Sequence, residues 1–206
     1  MAIRALRQEN AAMSFLSEPA PSDEVQSMYD ADETTYGFVM NLTHVWAHVP
    51  ESHTRLFELL GLVGAGFSPR EKGILVTATA STIGDSYCSW AWGWKLADFA
   101  GDSEVSAAVL SGSDEGLSPR EAALAGWARA VAGSASGTTA ADVAALRDAG
   151  WSDEEVFRAT TFVALRAAFS TVNAALGAVP DAELRALAPE SVGDVIAWGR
   201  PIEPAP

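Results

Sequence analysis

Apolar residues recur every three to four positions along most of the chain, the period of a helix with one buried face. No stretch alternates polar and apolar residues with β-branched enrichment, so no strand is expected. From Asp23, the positions Val25, Met28 and Tyr29 keep helical spacing behind an acidic start. Leu42, Val45, Trp46 and Val49 share a second face that Pro50 ends, and Leu56, Phe57, Leu59 and Leu60 begin a third. The apolar run Ile74 to Ile83 leads to Gly84 and Asp85, and an aromatic-rich helical pattern starts at Ser86. Two further faces are rich in alanine, one running from Ala122 to Val131 and one from Val156 to Phe169. A Gly/Ser loop and a short helix behind Thr139 join them. A last helical turn or two falls around Val192 to Trp198 before Pro-rich coil.

One phrase sets three helix starts. GFSPRE at 66–71, GLSPRE at 116–121 and GWSDEE at 150–155 each read Gly, apolar, Ser, two residues, Glu. Ser68, Ser118 and Ser152 are predicted N-caps. Glu71, Glu121 and Glu155 close the capping boxes, and Pro69 and Pro119 take the first helical position. Each Gly ends the preceding element.

These periods predict an all-α chain, with residues 1–22, which hold Pro19 and Pro21, as an extended arm that lies on a partner or stays mobile. Residues 23–202 form a single helical domain and 203–206 a tail. Hydrophobic residues make up 49% of the 206 and charged residues 19%, a globular composition. Lys and Arg number 13 against 27 Asp and Glu, a formal charge of −14 that repels phosphate backbones and anionic lipid. Nucleic acid and membrane are therefore not expected partners. The N-terminus lacks a signal-peptide core, no run is long enough to span a bilayer, and one cysteine allows no intrachain disulfide. The reading is a cytoplasmic protein.

Cys88 is the one residue with nucleophilic chemistry of its own. It stands in the first turn of the helix starting at Ser86, where unpaired backbone N–H groups favour a thiolate. The bland alternative is a small buried hydrophobe. Tyr87, Trp90 and Trp94 share one face of that helix and suit a core or subunit contact, or a stack for a flat ligand. His44 and His48 have the spacing of a metal pair but no HExxH context, so neither a metal nor a cofactor is expected. Lys95 shares the Cys88 face. Arg166 and Asn173 place polar groups on a long apolar helix, where they line a pocket or bridge helices.

The combination of GFSPRE, GDSYCSWAW, LSPREAALAGWAR, DVAALRDAGWSDEEV, VNAALG, PDAEL and GRPI resembles the carboxymuconolactone decarboxylase and alkylhydroperoxidase D (AhpD-like) superfamily, in its peroxidase-related branch. The likeness runs from about Tyr36 to Ile202. It implies an oligomeric AhpD-like helical bundle, as a homodimer or trimer of dimers, acting on a small-molecule substrate with an external thiol reductant. Peroxide-reducing members carry a Glu, then Cys-x-x-Cys, then a His. One thiolate attacks peroxide, the second resolves the sulfenic acid, and Glu and His relay the proton.

Here only the second cysteine of that motif is kept, as Cys88. Asp85 stands for the first, Trp92 for the His, Tyr87 for the usual His or Tyr before the second cysteine, and Gly73 for the relay Glu. Asp85 cannot form a disulfide, and its carboxylate should raise a neighbouring thiol's pKa. Trp92 carries only an N–H donor and is no base. Glu71 is a conceivable substitute relay, although its place in a capping box favours a structural role. A two-cysteine cycle within the chain is excluded. Two functions follow from the resemblance. One is hydroperoxide reduction through Cys88 with an outside reductant, with Asp85, Tyr87, Trp92 and Glu71 as pocket candidates. The other is a redox-silent pocket that binds, or acts as lyase or isomerase on, a small apolar or carboxylate-bearing molecule.

Overall fold

The structure is a computed structural model that describes residues 13–202. Among these residues it is all-α, with eleven α-helices and no strand. The helix α4 (Pro69–Ile83) runs through the middle, and every residue from Gly73 to Ala80 is buried. It packs against α5 (Ser86–Ala100), α7 (Pro119–Ser134) and α9 (Asp153–Ala175). Around this centre lie α1 (Asp23–Tyr36), α2 (Asn41–Trp46), α3 (Pro50–Val63), α6 (Ser103–Leu110), α8 (Ala140–Asp148), α10 (Ala182–Leu187) and α11 (Glu190–Val195). A 3-10 turn at Ala135–Gly137 joins α7 to α8.

The three repeated phrases form complete capping boxes. Ser68, Ser118 and Ser152 each accept from the backbone N–H three residues on, and Glu71, Glu121 and Glu155 each accept from the cap residue's own N–H. Thr139 and Asp142 make a fourth. The phrases also touch one another. Arg70, from the first turn of α4, bonds Glu121 of α7 at 2.6 Å, and Arg120 of α7 bonds Glu155 of α9 at 2.7 Å. Arg120 also lies 3.4 Å from the Trp151 ring centroid. The same local signal that starts three helices thus fixes their starts side by side.

Four details differ from the sequence pattern. α2 stops at Trp46, so Val49 falls outside it and is 59% exposed rather than facing the core. α3 starts at Pro50, because proline suits a first helical position. α6 lies where no element is expected from the sequence; Asp102 caps it and it packs on α5. The C-terminal helical signal divides into α10 and α11, interrupted by Pro189, and Trp198 lies beyond both.

The described part of the N-terminal arm lies against its own chain. Phe15 N–H donates to the Leu176 carbonyl at 2.8 Å, and Val179 N–H donates to the Met13 carbonyl at 3.1 Å. Residues 1–12 and 203–206 of the expected arm and tail fall outside the described residues. No helix among the described residues is long and apolar enough to cross a membrane.

Candidate active site

The site is built where α4 hands the chain to α5. Gly84 ends α4 with φ 74°, a left-handed conformation that glycine adopts without cost. That turn sets Asp85 as N-cap of α5, where its Oδ1 accepts the Cys88 N–H at 3.1 Å. The Asp85 carbonyl accepts the Ser89 hydroxyl at 2.6 Å. The residue that replaces a motif cysteine therefore acts as the cap of the helix bearing the remaining one.

Across from this turn, α9 presents Arg166, Ser170 and Asn173 on one helical face, four and three residues apart. Arg166 Nη2 and the Ser170 hydroxyl both donate to Cys88 Sγ at 3.6 Å. Arg166 is buried, at 4% exposure, and no carboxylate among the described residues makes an ion pair with it. Its guanidinium carbon lies 5.3 Å from the Trp92 ring centroid and 5.1 Å from that of Phe169, two π-faces that replace part of its lost hydration.

Cys88 is 2% exposed. Burial pushes its thiol up to about 12, and the negative charge of the Asp85 carboxylate adds to the rise. Arg166 and Ser170 pull the other way and lose. The helix start that favours a thiolate in the sequence is thus outweighed by loss of solvent and by the carboxylate that caps it. At neutral pH the resting sulfur is a thiol.

The other sequence candidates divide. Tyr87 is buried. Its hydroxyl donates to Asp181 Oδ2 and accepts the Leu42 N–H at 3.2 Å, while Asp181 Oδ1 accepts the Asn41 N–H at 2.8 Å. Burial raises Asp181 from 3.8 to about 7 despite these donors. Trp92 is next to Arg166, where the motif would place a base. Glu71 is held by its capping box and lies 3.9 Å from Arg120. Its place is at the opposite end of α4 from Asp85, in the helix's first turn. Gly73 admits no larger residue freely, since a Cβ there would stand 3.1 Å from Leu96 Cδ1 on α5. Lys95 donates to the Tyr36 hydroxyl at 3.1 Å and lies among the Tyr36, Trp92 and Trp94 rings. His44 Nδ1 bonds Tyr29 and Glu18, and His48 Nε2 bonds the Ser17 carbonyl. The described residues contain no group of three or more His, Cys, Asp or Glu placed to hold a metal.

Ser170, Asp181 and Arg200 escaped the sequence reading. Ser170 carries a signal in hindsight, four residues past Arg166 on a buried face. Arg200 lies in the GRPI string, with no spacing that marks it as a site residue. It arrives with the C-terminal segment, whose Arg200 carbonyl accepts the Ser86 hydroxyl at 2.7 Å. There it helps line a cleft of about 220 Å³ beside Gly84, Asp85, Tyr87 and Asn173.

An all-α array around a buried central helix, with one thiol at the start of the next helix, defines the class as the AhpD-like helical fold. Solved structures share it. An alkylhydroperoxidase AhpD core, described as an uncharacterized peroxidase-related protein from Ralstonia eutropha JMP134, superposes with a TM-score of 0.72 at 23% identity, covering 85% of this chain and 96% of that one. An uncharacterized peroxidase-related protein from Silicibacter sp. TM1040 gives 0.72 at 19% identity, covering 86% and 96%. The debrominase Bmp8, as a cysteine-to-alanine variant in complex with 2,3,4-tribromopyrrole, gives 0.70 at 16%, covering 91% and 98%. No protein-family model and no curated protein matches the sequence.

Proposed function

We propose that this chain is a single-thiol, peroxidase-related enzyme in which Cys88 attacks a small hydroperoxide and an external thiol restores it. The observation that supports the reading is the setting of the sulfur, on a helix capped by the Asp85 carboxylate and with Arg166 and Ser170 donating to it. A thiol raised to about 12 is not a standing nucleophile. Attack therefore requires proton transfer to Asp85 as the S–O bond forms, with the guanidinium and hydroxyl stabilising the charge that develops on sulfur.

In the first step the thiol and ROOH give a Cys88 sulfenic acid and ROH. Sulfur bonds the outer oxygen, the O–O bond breaks, and the departing alkoxide takes the proton held by Asp85. An outside thiol then condenses with the sulfenic acid, releasing water and leaving a mixed disulfide, and a second such thiol releases Cys88 and departs as the external disulfide. That a cysteine variant of a debrominase with this fold was captured with a tribromopyrrole makes a brominated pyrrole a worthwhile second probe of Cys88.

The test is mass spectrometry after a stoichiometric dose of alkyl hydroperoxide, with and without a dione trap for sulfenic acid. Rapid mono-oxidation that the trap intercepts at Cys88 is the expected result. A thiol that stays unmodified while the fold is intact overturns the reading. In that event the redox-silent alternative takes over, and what favours it is the 2% exposure of the sulfur.

A further inference from the structure

Three residues that line the cleft each hold one buried polar atom with no N–H or O–H partner among the described residues, Asp85 Oδ2, Asn173 Nδ2 and Arg200 Nε. Asp85 is 6% exposed and Asn173 1%, so each such group costs free energy if nothing meets it. The orientation of the Asn173 amide is fixed by chemistry. Its Oδ1 accepts the Trp46 indole N–H at 2.8 Å, and an indole N–H can only donate, so Nδ2 is left as the unused donor. Arg200 is anchored from its other end, where Nη2 donates to the Ala174 carbonyl at 3.1 Å and the guanidinium carbon lies 4.7 Å from the Phe15 ring centroid. The cleft wall at Gly84 stays open, since no atom lies within 4 Å of where a Cβ would be.

The geometry points to a ligand site here for a small carboxylate that carries a hydroxyl or ammonium donor on its neighbouring carbon. Asn173 and Arg200 donate to the carboxylate, and Asp85 accepts from the donor. An amide and a guanidinium lining one cleft match an oxyanion, and Arg200 adds the charge that makes such hydrogen bonds strong. A carboxylate on the same wall rejects a bare anion and selects one with a compensating donor. Asp85 also touches Cys88, so a molecule bound in the cleft is joined to the thiol through one carboxylate. The inference deepens the proposed function by naming what its cleft binds, but binding itself does not require the sulfur to react.

The test follows the Asn173 side-chain amide and the Trp46 indole N–H by nitrogen-edited NMR on the full chain during titration with glycolate, glycine, acetate and acetamide. Saturable shifts at both signals with glycolate or glycine are expected, with acetate and acetamide weaker. Arg200→Gln should weaken binding about tenfold or more, as loss of one charge-assisted bond implies. Asn173→Asp keeps the acceptor for Trp46 while removing the donor, and should weaken it as far. If the parent chain binds glycolate or glycine but does not react with hydroperoxide, the ligand site stands and the thiol reading fails. Absence of saturable shifts with every probe, or undiminished binding by both Arg200→Gln and Asn173→Asp in folded protein, overturns the site. Equal affinity for acetate and glycolate overturns the part given to Asp85.

Discussion

At the scale of single residues, Asp85 holds two opposing roles at the thiol. Its negative charge raises Cys88, so Asp85→Asn should lower the thiol pKa from about 12 by about one unit or more, read from thiolate ultraviolet absorbance against pH. If the same carboxylate receives the proton during attack, the variant should nevertheless react more slowly with hydroperoxide at neutral pH. A variant that ionises more readily and also reacts faster would remove Asp85 from that role. The Cys88 shift also sets a stability trend. A thiol whose folded pKa is raised favours folding below 9 and loses that advantage as pH rises from 9 towards 12. Cys88→Ala should therefore flatten the alkaline end of a plot of Tm against pH.

At the scale of elements, the repeated cap phrase does more than start helices. Each Glu is at once a cap and a neighbour of an arginine from another of the three helices, so α4, α7 and α9 begin in fixed register. Glu71→Ala should cost about 0.5–1.5 kcal/mol in chemical denaturation while leaving the alkylation rate of Cys88 unchanged. A large change in that rate would return Glu71 to the candidate relays. Gly73 shows why this chain cannot simply regain the relay carboxylate of the motif. Gly73→Glu would drive a side chain into Leu96 and separate α4 from α5, at about 2 kcal/mol or more of stability.

At the scale of the molecule, the Tyr87–Asp181 pair binds α2, α5 and α10 together behind the thiol. Asp181 is neutral in the fold at pH values where it would be charged in the unfolded chain. Its contribution is complete below 3.8 and fades as pH rises towards 7, on the order of 4 kcal/mol across that window. Asp181→Asn should make stability nearly level between pH 4 and 7, measured by urea unfolding. Leu62, at 65% exposed, and Phe157, at 66%, sit on α3 and α9, which Arg158 links through a 2.8 Å bond to the Leu62 carbonyl. We expect this apolar surface to be covered in a homo-oligomer. Leu62→Glu with Phe157→Glu should reduce the mass seen by light scattering, and an unchanged mass would move the interface elsewhere.

Much of the fold is legible in the chain because its signals are local. Ser68, Ser118 and Ser152 meet their own Glu three residues on, and Gly84 and Asp85 set the break before α5 whatever surrounds them. The position of Cys88 in a first turn follows from the same arithmetic. Its ionisation does not, because burial by α9 and the supply of Arg166 and Ser170 come from residues 78 and 82 positions away. The cleft is further out of reach, since Arg200 meets Asp85 and Asn173 only after the C-terminal segment has crossed back over α5. Hydrogen bonds within a turn are written in spacing. The solvation and charge around one sulfur depend on which distant faces pack there, and only the tertiary structure decides that.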